Sequence, residues 1–207
     1  MVRGTKLAQQ VVIGITGTAG AGKGAVVDYL VDRYAFMHLS VRGFLLEEIR
    51  RRDLPNVNRN TMGEIANELR RKHSPAYIVQ TLFAQATKTS ASRVIIESVR
   101  VPAEVDALRN LACSNNFFLL SVDADPKIRY SRIVARKSET DNVSYEEFLE
   151  QERIEMNNNE KFKQNLRVCA QKSDFSITNN GNLADLQQSI NLFLTETVGQ
   201  HGSLPKL

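Results

Sequence analysis

The stretch Gly17-Thr18-Ala19-Gly20-Ala21-Gly22-Lys23-Gly24 follows an apolar run, Val11-Val12-Ile13-Gly14-Ile15, and precedes a segment whose apolar residues have helical spacing. A buried strand, a glycine-rich turn and a helix start are the context that a phosphate-binding loop requires. Glycines let the backbone curl so that N–H groups point at an anion, and the N-terminus of the following helix adds partial positive charge. Lys23 adds a full charge on a long side chain. The stretch therefore predicts a site for a nucleoside triphosphate, lined by Gly17, Thr18, Ala19, Gly20, Ala21, Gly22, Lys23, Gly24 and Ala25.

One position of this loop departs from the usual pattern, G-x-x-x-x-G-K-[ST]. Gly24 stands where a serine or threonine hydroxyl would ligate Mg²⁺, and Ala25 follows it. The ion must therefore be held through water or by another side chain.

Composition bounds the class of protein. The chain has 207 residues, 42% of them hydrophobic and 24% charged, which suits one globular domain with a substantial core. Its formal net charge of +4 suits a phosphate-rich small ligand and is too small to indicate nucleic acid. No stretch approaches a membrane span, no apolar leader precedes Val11, and the two isolated cysteines fit a reducing compartment. We expect a cytoplasmic protein without nucleic-acid or membrane partners; composition does not predict an oligomeric state.

Five apolar runs alternate with helical patterns, which predicts a doubly wound α/β sheet of five parallel strands with helices on both faces. The predicted strands are Val11–Ile15, Phe36–Leu39, Val94–Ile96, Phe117–Val122 and Phe175–Ile177. The long helical interval between the second and third strands predicts an inserted helical arm. We expect a single domain with a core at about 11–39 and 93–197, an arm at about 40–92 and a flexible tail at 198–207.

Two sequence patterns mark helix starts within this frame. Thr61-Met62-Gly63-Glu64 and Ser144-Tyr145-Glu146-Glu147 both have the pattern of a capping box, in which a hydroxyl and a carboxylate satisfy the first backbone N–H groups of a helix. We expect one helix from Thr61 through Leu69 and another from Ser144 through about Asn157.

Charged residues cluster where strands end, which is where ligands bind in such sheets. Strand three ends Glu97-Ser98-Val99-Arg100, so Glu97 is a candidate to hold Mg²⁺ through water and Arg100 is expected to face the phosphates. After strand four, Arg129, Arg132 and Arg136 fall on one helical face. Guanidiniums suit phosphate because their planar fork donates two parallel hydrogen bonds. A solvated helix face is the alternative for these three arginines.

The order of these motifs resembles the P-loop nucleoside monophosphate kinase superfamily. It consists of GxxGxGKG, then ESVR after strand three, then DADPxxRxxRxxxR after strand four, and within the superfamily it looks like the adenylate kinase-like or dephospho-CoA kinase-like branch. The resemblance covers roughly Val11 to Phe193 and implies a three-layer P-loop NTPase fold in which the inserted helical arm binds the phosphate acceptor. The chain departs from the family at strand three, where the spacing from acid to arginine is one residue shorter than in D-G-x-x-R.

The resemblance also implies roles by position. Arg132 and Arg136 match arginines at the base of a mobile lid. The polar stretch after Lys137 runs only from Ser138 to Val143, so the resemblance implies a small lid in this chain. Asn179 lies in a loop that relatives place against adenine, with a plain polar turn as the alternative. Near the end of strand two, Ser40 and Arg42 stand where relatives engage the acceptor, and no acidic base is present there.

Taken together, these features predict a kinase. Lys23, Arg132, Arg136 and Glu97 are the expected catalytic residues, with ATP and Mg²⁺ as cofactors. Arg153, on the charged helix that begins at Ser144, is a further candidate to join them. Ser40, Arg42 and Arg100 are expected to bind a small phosphorylated acceptor, for which a nucleoside monophosphate is the leading candidate. The alternatives are dephospho-CoA kinase, which needs a base for its hydroxyl acceptor, and a nucleotide-binding regulatory NTPase without a small acceptor.

Overall fold

A five-stranded parallel sheet forms the centre of the computed structural model, which describes residues 10–55, 57–112, 116–136 and 143–199. The strand order is β2-β3-β1-β4-β5, and the strands are β1 (Val11–Gly17), β2 (Met37–Ser40), β3 (Arg93–Glu97), β4 (Phe117–Asp123) and β5 (Phe175–Thr178). The sheet confirms the predicted fold class, with each strand within two residues of its predicted bounds.

Helices cover both faces of the sheet. They are α1 (Lys23–Tyr34), α2 (Val41–Arg51), α3 (Arg59–Lys72), α4 (Tyr77–Ala86), α5 (Pro102–Leu111), α6 (Pro126–Arg136), α7 (Tyr145–Met156), α8 (Leu166–Gln171) and α9 (Leu183–Phe193). A π-helical turn, Leu194–Val198, extends α9. None of the helices in the described ranges is long and apolar enough to cross a membrane.

The central strand β1 explains why its sequence is apolar without alternation. All seven of its residues are buried, because β1 lies between β3 and β4 and is covered on both faces. Val12 belongs to the core formed with α2, α3, α4 and α5, whereas Ile13 belongs to the core formed with α1 and α9. Helices α2 to α4, the predicted arm, therefore share the core of the sheet.

The ends of several elements differ from the sequence-based expectations. Ser144 caps α7 as predicted, since its hydroxyl accepts the N–H of Glu147. The box predicted at Thr61 is wrong: α3 begins earlier, and the cap is Asn58, whose side chain accepts the Thr61 N–H at 2.9 Å. Val198, where the predicted tail begins, is buried; residues 200–207 and most of the predicted lid, 138–142, lie outside the described residues.

Candidate active site

The glycine-rich loop connects β1 to α1, and its glycines lie in close contact with neighbouring residues. Gly17 has φ +132°, and a Cβ there would overlap the carbonyl oxygen of Val122 on β4. Gly22 has φ +100°, and a Cβ there would overlap the side-chain amide of Asn179. Both positions therefore require glycine for conformation and for space. The loop has the backbone shape that its sequence predicted.

Lys23 is folded into this loop. Its ammonium donates to the carbonyl oxygens of Gly17 at 3.0 Å and Thr18 at 2.6 Å, and the residue is only 8% exposed. Burial is the main cause that lowers the pKa of Lys23 to about 7, and the charge of Arg100 lowers it further, while that of Glu97 opposes the shift. At neutral pH the free protein therefore holds this lysine in comparable amounts of its charged and neutral forms, and a bound phosphate would favour the charged form.

Side chains at the end of β4 and just after β5 hold the loop by hydrogen bonds. The Thr18 hydroxyl donates to the Asp123 carboxylate at 2.5 Å, and the Asn179 amide donates to the Ala21 carbonyl at 2.8 Å. Arg132 in turn donates to the Asn179 carbonyl at 3.0 Å. Asn179 and Arg132 therefore lie against the loop. Neither of them lines the cleft that opens between the loop and the helices α2 and α3.

That cleft has a volume of about 210 Å³ and opens between the loop and the helices α2 and α3. Its lining joins the loop, the turn after β3 and the end of α6. The charged residues of that lining are Lys23, Arg42, Arg59, Arg70, Arg100, Arg136, Glu97 and Glu155. Most of these groups are basic, so the cleft is suited to a ligand with several negative charges.

The sequence-predicted residues divide between this cleft and its surroundings. The structure brings Lys23, Glu97, Arg42, Arg100 and Arg136 together in the lining. Ser40 is used differently, because its hydroxyl accepts the N–H of Gly43 at 3.1 Å and caps α2.

Glu97 lies at the end of β3 beside the end of β2. Burial alone would raise the pKa of Glu97, but the hydrogen bond from His38 and the charge of Lys23 outweigh it, so the pKa is lowered. His38 Nε2 lies 3.2 Å from the Glu97 carboxylate. The sequence-based reading gave His38 no role, because its position on β2 shows nothing of the neighbouring strand. Glu97 is an ionised carboxylate at neutral pH.

The turn after β3 carries backbone strain. Ser98 has φ +73°, in the left-handed region that side chains disfavour, and the N–H groups of Ser98 and Val99 both donate to the Ile15 carbonyl at 3.0 Å. Strained backbone of this kind concentrates at functional sites. The turn fixes Glu97 and Arg100 on either side of it.

Three residues of the cleft lining were not identified from the sequence: Arg59, Glu155 and Gln164. Arg59, at the start of α3, donates to Glu155 of α7 at 2.8 Å, and Arg100 donates to Glu155 at 3.0 Å and to Gln164 at 2.7 Å. Arg59 and Glu155 are separated by 96 residues in the chain, so no local spacing pointed to the pair. A sequence signal existed only in the unusually acidic helix that carries Glu155.

Arg129 and Arg153 were also singled out by sequence, and neither lines the cleft. Arg129 is 2% exposed, donates to the Ala124 carbonyl at 2.7 Å and pairs with Glu152. Arg153, a weaker candidate on α7, pairs with Glu150 on the exposed side of that helix. Arg129 therefore stabilises the junction of α6 and α7.

Solved structures with the same fold include kinases. Shikimate kinase from Acinetobacter baumannii is 14% identical and superposes with a TM-score of 0.54 over 93% of this chain and 97% of that one. A gluconokinase from Sinorhizobium meliloti is 8% identical, with a TM-score of 0.56 over 95% of this chain and 98% of that one. TT1252 from Thermus thermophilus is 18% identical and superposes with a TM-score of 0.59 over 91% of this chain and 98% of that one. At these identities the likeness shows the fold alone, which is that of the P-loop kinases.

Sequence relatives are found in archaea. A UPF0200 protein of Methanothermobacter thermautotrophicus is 29% identical over 146 residues, which cover 70% of this chain and 72% of the relative. One of Methanococcus maripaludis is 26% identical over 180 residues, covering 86% of this chain and 92% of the relative. A family model described as an AAA domain matches residues 13–161, from β1 into the segment after α7. The chain therefore belongs to this AAA domain family.

Proposed function

We propose that the protein is an ATP-dependent phosphotransferase whose acceptor is a nucleoside monophosphate. The observation that carries the proposal is the composition of the cleft: Lys23 of the phosphate-binding loop shares one space with Arg42, Arg100 and Arg136. Phosphoryl transfer depends mostly on positioning and on neutralising charge, so a donor-phosphate lysine facing several guanidiniums is the arrangement that it needs.

The loop fits the triphosphate of ATP. Its backbone conformation at Gly17 and Gly22 leaves room only for glycine, which lets N–H groups face an anion at the start of α1. Lys23 holds the β- and γ-phosphates, exchanging its two carbonyl partners for phosphate oxygens. Asn179 and Arg132 support the loop on the side proposed for the adenine.

The residues also fit Mg²⁺, though weakly. Among the described residues no group of three or more His, Cys, Asp or Glu side chains is placed to hold a metal ion, and Gly24 offers no hydroxyl. Glu97 is ionised and lines the cleft, so it is the residue that would hold the ion, through water. Bound Mg²⁺ would neutralise charge on the transferred phosphoryl group.

The state of the acidic residues supports a phosphate acceptor over a hydroxyl acceptor. The two carboxylates in the cleft lining already have partners: Glu97 accepts a hydrogen bond from His38, and Glu155 forms ion pairs with two arginines. Both carboxylates have lowered pKa values. A carboxylate whose pKa is lowered and whose oxygens already accept hydrogen bonds is a poor base for a hydroxyl group. A phosphate acceptor already has a nucleophilic oxyanion and needs no base. This favours a nucleoside monophosphate over dephospho-CoA.

The test is ADP production from ATP and Mg²⁺ with AMP, CMP, dCMP, UMP, GMP, dTMP or dephospho-CoA as acceptor. We expect one monophosphate to stimulate turnover and Lys23→Ala to abolish it. Lys88→Ala, which changes an exposed lysine after α4, is the matched control. Arg42→Ala should raise the acceptor KM about tenfold by removing one phosphate contact, whereas Arg50→Ala on the same helix should not.

The outcomes separate the proposal from its rivals. Stimulation by dephospho-CoA alone would replace the nucleoside monophosphate as acceptor. Tight ATP binding with slow hydrolysis and no dependence on any acceptor would favour a regulatory NTPase and contradict the kinase.

A further inference from the structure

Arg100 is held at several of its polar groups. Its backbone N–H donates to the Glu104 carboxylate at 2.9 Å, and its carbonyl accepts the N–H of Asn165 at 2.9 Å. Its guanidinium donates through Nη1 to Glu155 at 3.0 Å and to Gln164 at 2.7 Å. A side chain fixed in this way has little conformational entropy left to lose when a ligand binds. Arg100 is therefore preorganised in the cleft.

Glu155 links Arg100 to a second guanidinium. One of its oxygens accepts Nε and Nη2 of Arg59, at 3.2 and 2.8 Å, and the other accepts Nη1 of Arg100. The Glu155 side chain is 13% exposed. Burial would raise the pKa of Glu155, but the charges of Arg100 and Arg59 outweigh it and the pKa is lowered. An ionised carboxylate therefore bridges two cations that would otherwise repel each other.

The bridge leaves donors for a ligand. Within residues 10–55, 57–112, 116–136 and 143–199, Nη1 of Arg59 and Nε and Nη2 of Arg100 donate to no side chain or carbonyl. Two guanidiniums and one carboxylate leave one net positive charge, and both arginines line the cleft. A phosphate group is the anion that two such forks recognise.

Helix α7 is anchored next to the bridge. One turn before Glu155, Glu152 pairs with the buried Arg129 of α6, whose backbone packs against the phosphate-binding loop at Gly20. The position of Glu155 relative to the loop is thus fixed by an independent ion pair.

We propose that Glu155 is a positioning residue that holds Arg59 and Arg100 as one binding pair for the phosphate of the acceptor. The proposal rests on the proposed function for the identity of the acceptor. The competing interpretation gives Glu155 the opposite role, an internal anion that a phosphate must expel. The two interpretations differ in sign: loss of the Glu155 charge weakens phosphate binding in the first and strengthens it in the second.

The test uses phenylglyoxal, which modifies arginines, with inorganic phosphate as the protecting probe and peptide mapping by mass spectrometry as the readout. Peptide mapping measures the modification of Arg59 and of Arg100 individually, so that their protection is distinguished from phosphate binding at Lys23. For Glu155→Gln we expect the phosphate concentration that gives half protection of both arginines to rise about tenfold, the effect of losing one charge-assisted hydrogen bond. Glu150→Gln, which changes an exposed carboxylate of α7, is the matched control.

A second variant covers the case in which Glu155→Gln does not fold, as judged by circular dichroism. Gln164→Leu removes one neutral acceptor from Arg100 alone, so half protection should shift at Arg100 in the same direction. An unchanged or lower half-protecting concentration in the folded variants overturns the proposal, as does an absence of protection in the unmodified protein.

The kinase assay adds a readout that a merely structural role would not move. Glu155→Gln should raise the acceptor KM about tenfold while kcat and the KM for ATP change little. If phosphate protection weakens as expected but no acceptor stimulates turnover, the kinase proposal fails and the positioning role stands.

Discussion

Glu104→Gln tests the buried ion pair between Arg70 and Glu104, which also holds the backbone of Arg100. The Glu104 carboxylate accepts Nε and Nη2 of Arg70 at 3.0 and 2.8 Å, and the N–H groups of Arg100 and Val101 at 2.9 and 3.0 Å. The side chains of Arg70 and Glu104 are 1% and 0% exposed. This single carboxylate therefore satisfies four donors, and the pair that it forms with Arg70 is shielded from water.

The magnitude depends on that burial. Glutamine has the same size but no charge, and its amide group points two hydrogens at a site lined with donors. Removing one partner of a buried ion pair costs about 3–5 kcal/mol, because the other charge stays buried without compensation. The orphaned backbone N–H groups keep the cost from falling below that range. We expect Glu104→Gln to lower the free energy of unfolding by about 3–5 kcal/mol, a large part of the roughly 5–15 kcal/mol of a typical domain.

Urea denaturation followed by circular dichroism at pH 7 measures this loss. Arg70→Met should cost less, because Glu104 keeps its two backbone donors, and the double variant should cost less than the sum of the two single ones. Asp106→Asn, which breaks the exposed Asp106–Lys172 pair on the same helix, is the control and should cost less than about 1 kcal/mol. A loss below about 1 kcal/mol for Glu104→Gln would refute the reasoning, since it would mean that Arg70 is neither buried nor dependent on this partner.

Three further predictions concern the phosphate-binding loop. ATP binding at pH 8, measured by calorimetry in buffers of different ionisation enthalpy, should take up close to one proton (about 0.9), because the Lys23 pKa of about 7 rises when phosphate binds. ATP affinity should consequently fall as the pH rises above 7, and neither effect should survive in Lys23→Met. Gly17→Ala should abolish nucleotide binding in a fluorescence titration, because its Cβ overlaps the Val122 carbonyl. Asn179→Ala should raise the Kd for ATP about tenfold by removing the donor to the Ala21 carbonyl, and an unchanged Kd would contradict its supporting role.

The sheet was predictable from sequence because burial on both faces leaves a strong local signal. The continuous apolar run of β1 is typical of a strand that helices cover on both sides, and the glycine-rich loop indicates that a helix begins directly after it. Helix starts were less predictable. Asn58 and Thr61 are both good caps, and the earlier one is used, so that Arg59 falls on the first turn of α3 and reaches Glu155. The contact between Arg59 and α7 is tertiary, and no pattern near residue 58 indicates it.

The candidate site divides along the same line. Lys23 was identifiable from the glycine-rich loop. Glu97 and Arg100 were identifiable because they lie at and just beyond the end of β3, and the carboxyl ends of parallel strands meet at one edge. Glu155 and Gln164 come from α7 and the segment after it, and they reach Arg100 only through tertiary packing. Sequence spacing therefore predicts the charged groups of the cleft better than it predicts the groups that orient them.

The arginines of α6 show how one helical face separates into different roles. Their spacing predicted a common function, yet Arg129 is buried against Glu152, Arg132 donates to the Asn179 carbonyl and Arg136 lines the cleft. Direct neutralisation of transition-state charge is therefore assigned, within the proposed mechanism, to Arg136. Arg132 acts through Asn179, so its loss should weaken ATP binding as loss of Asn179 does. A variant of Arg136 should lower kcat instead, which separates the two roles that the shared face concealed.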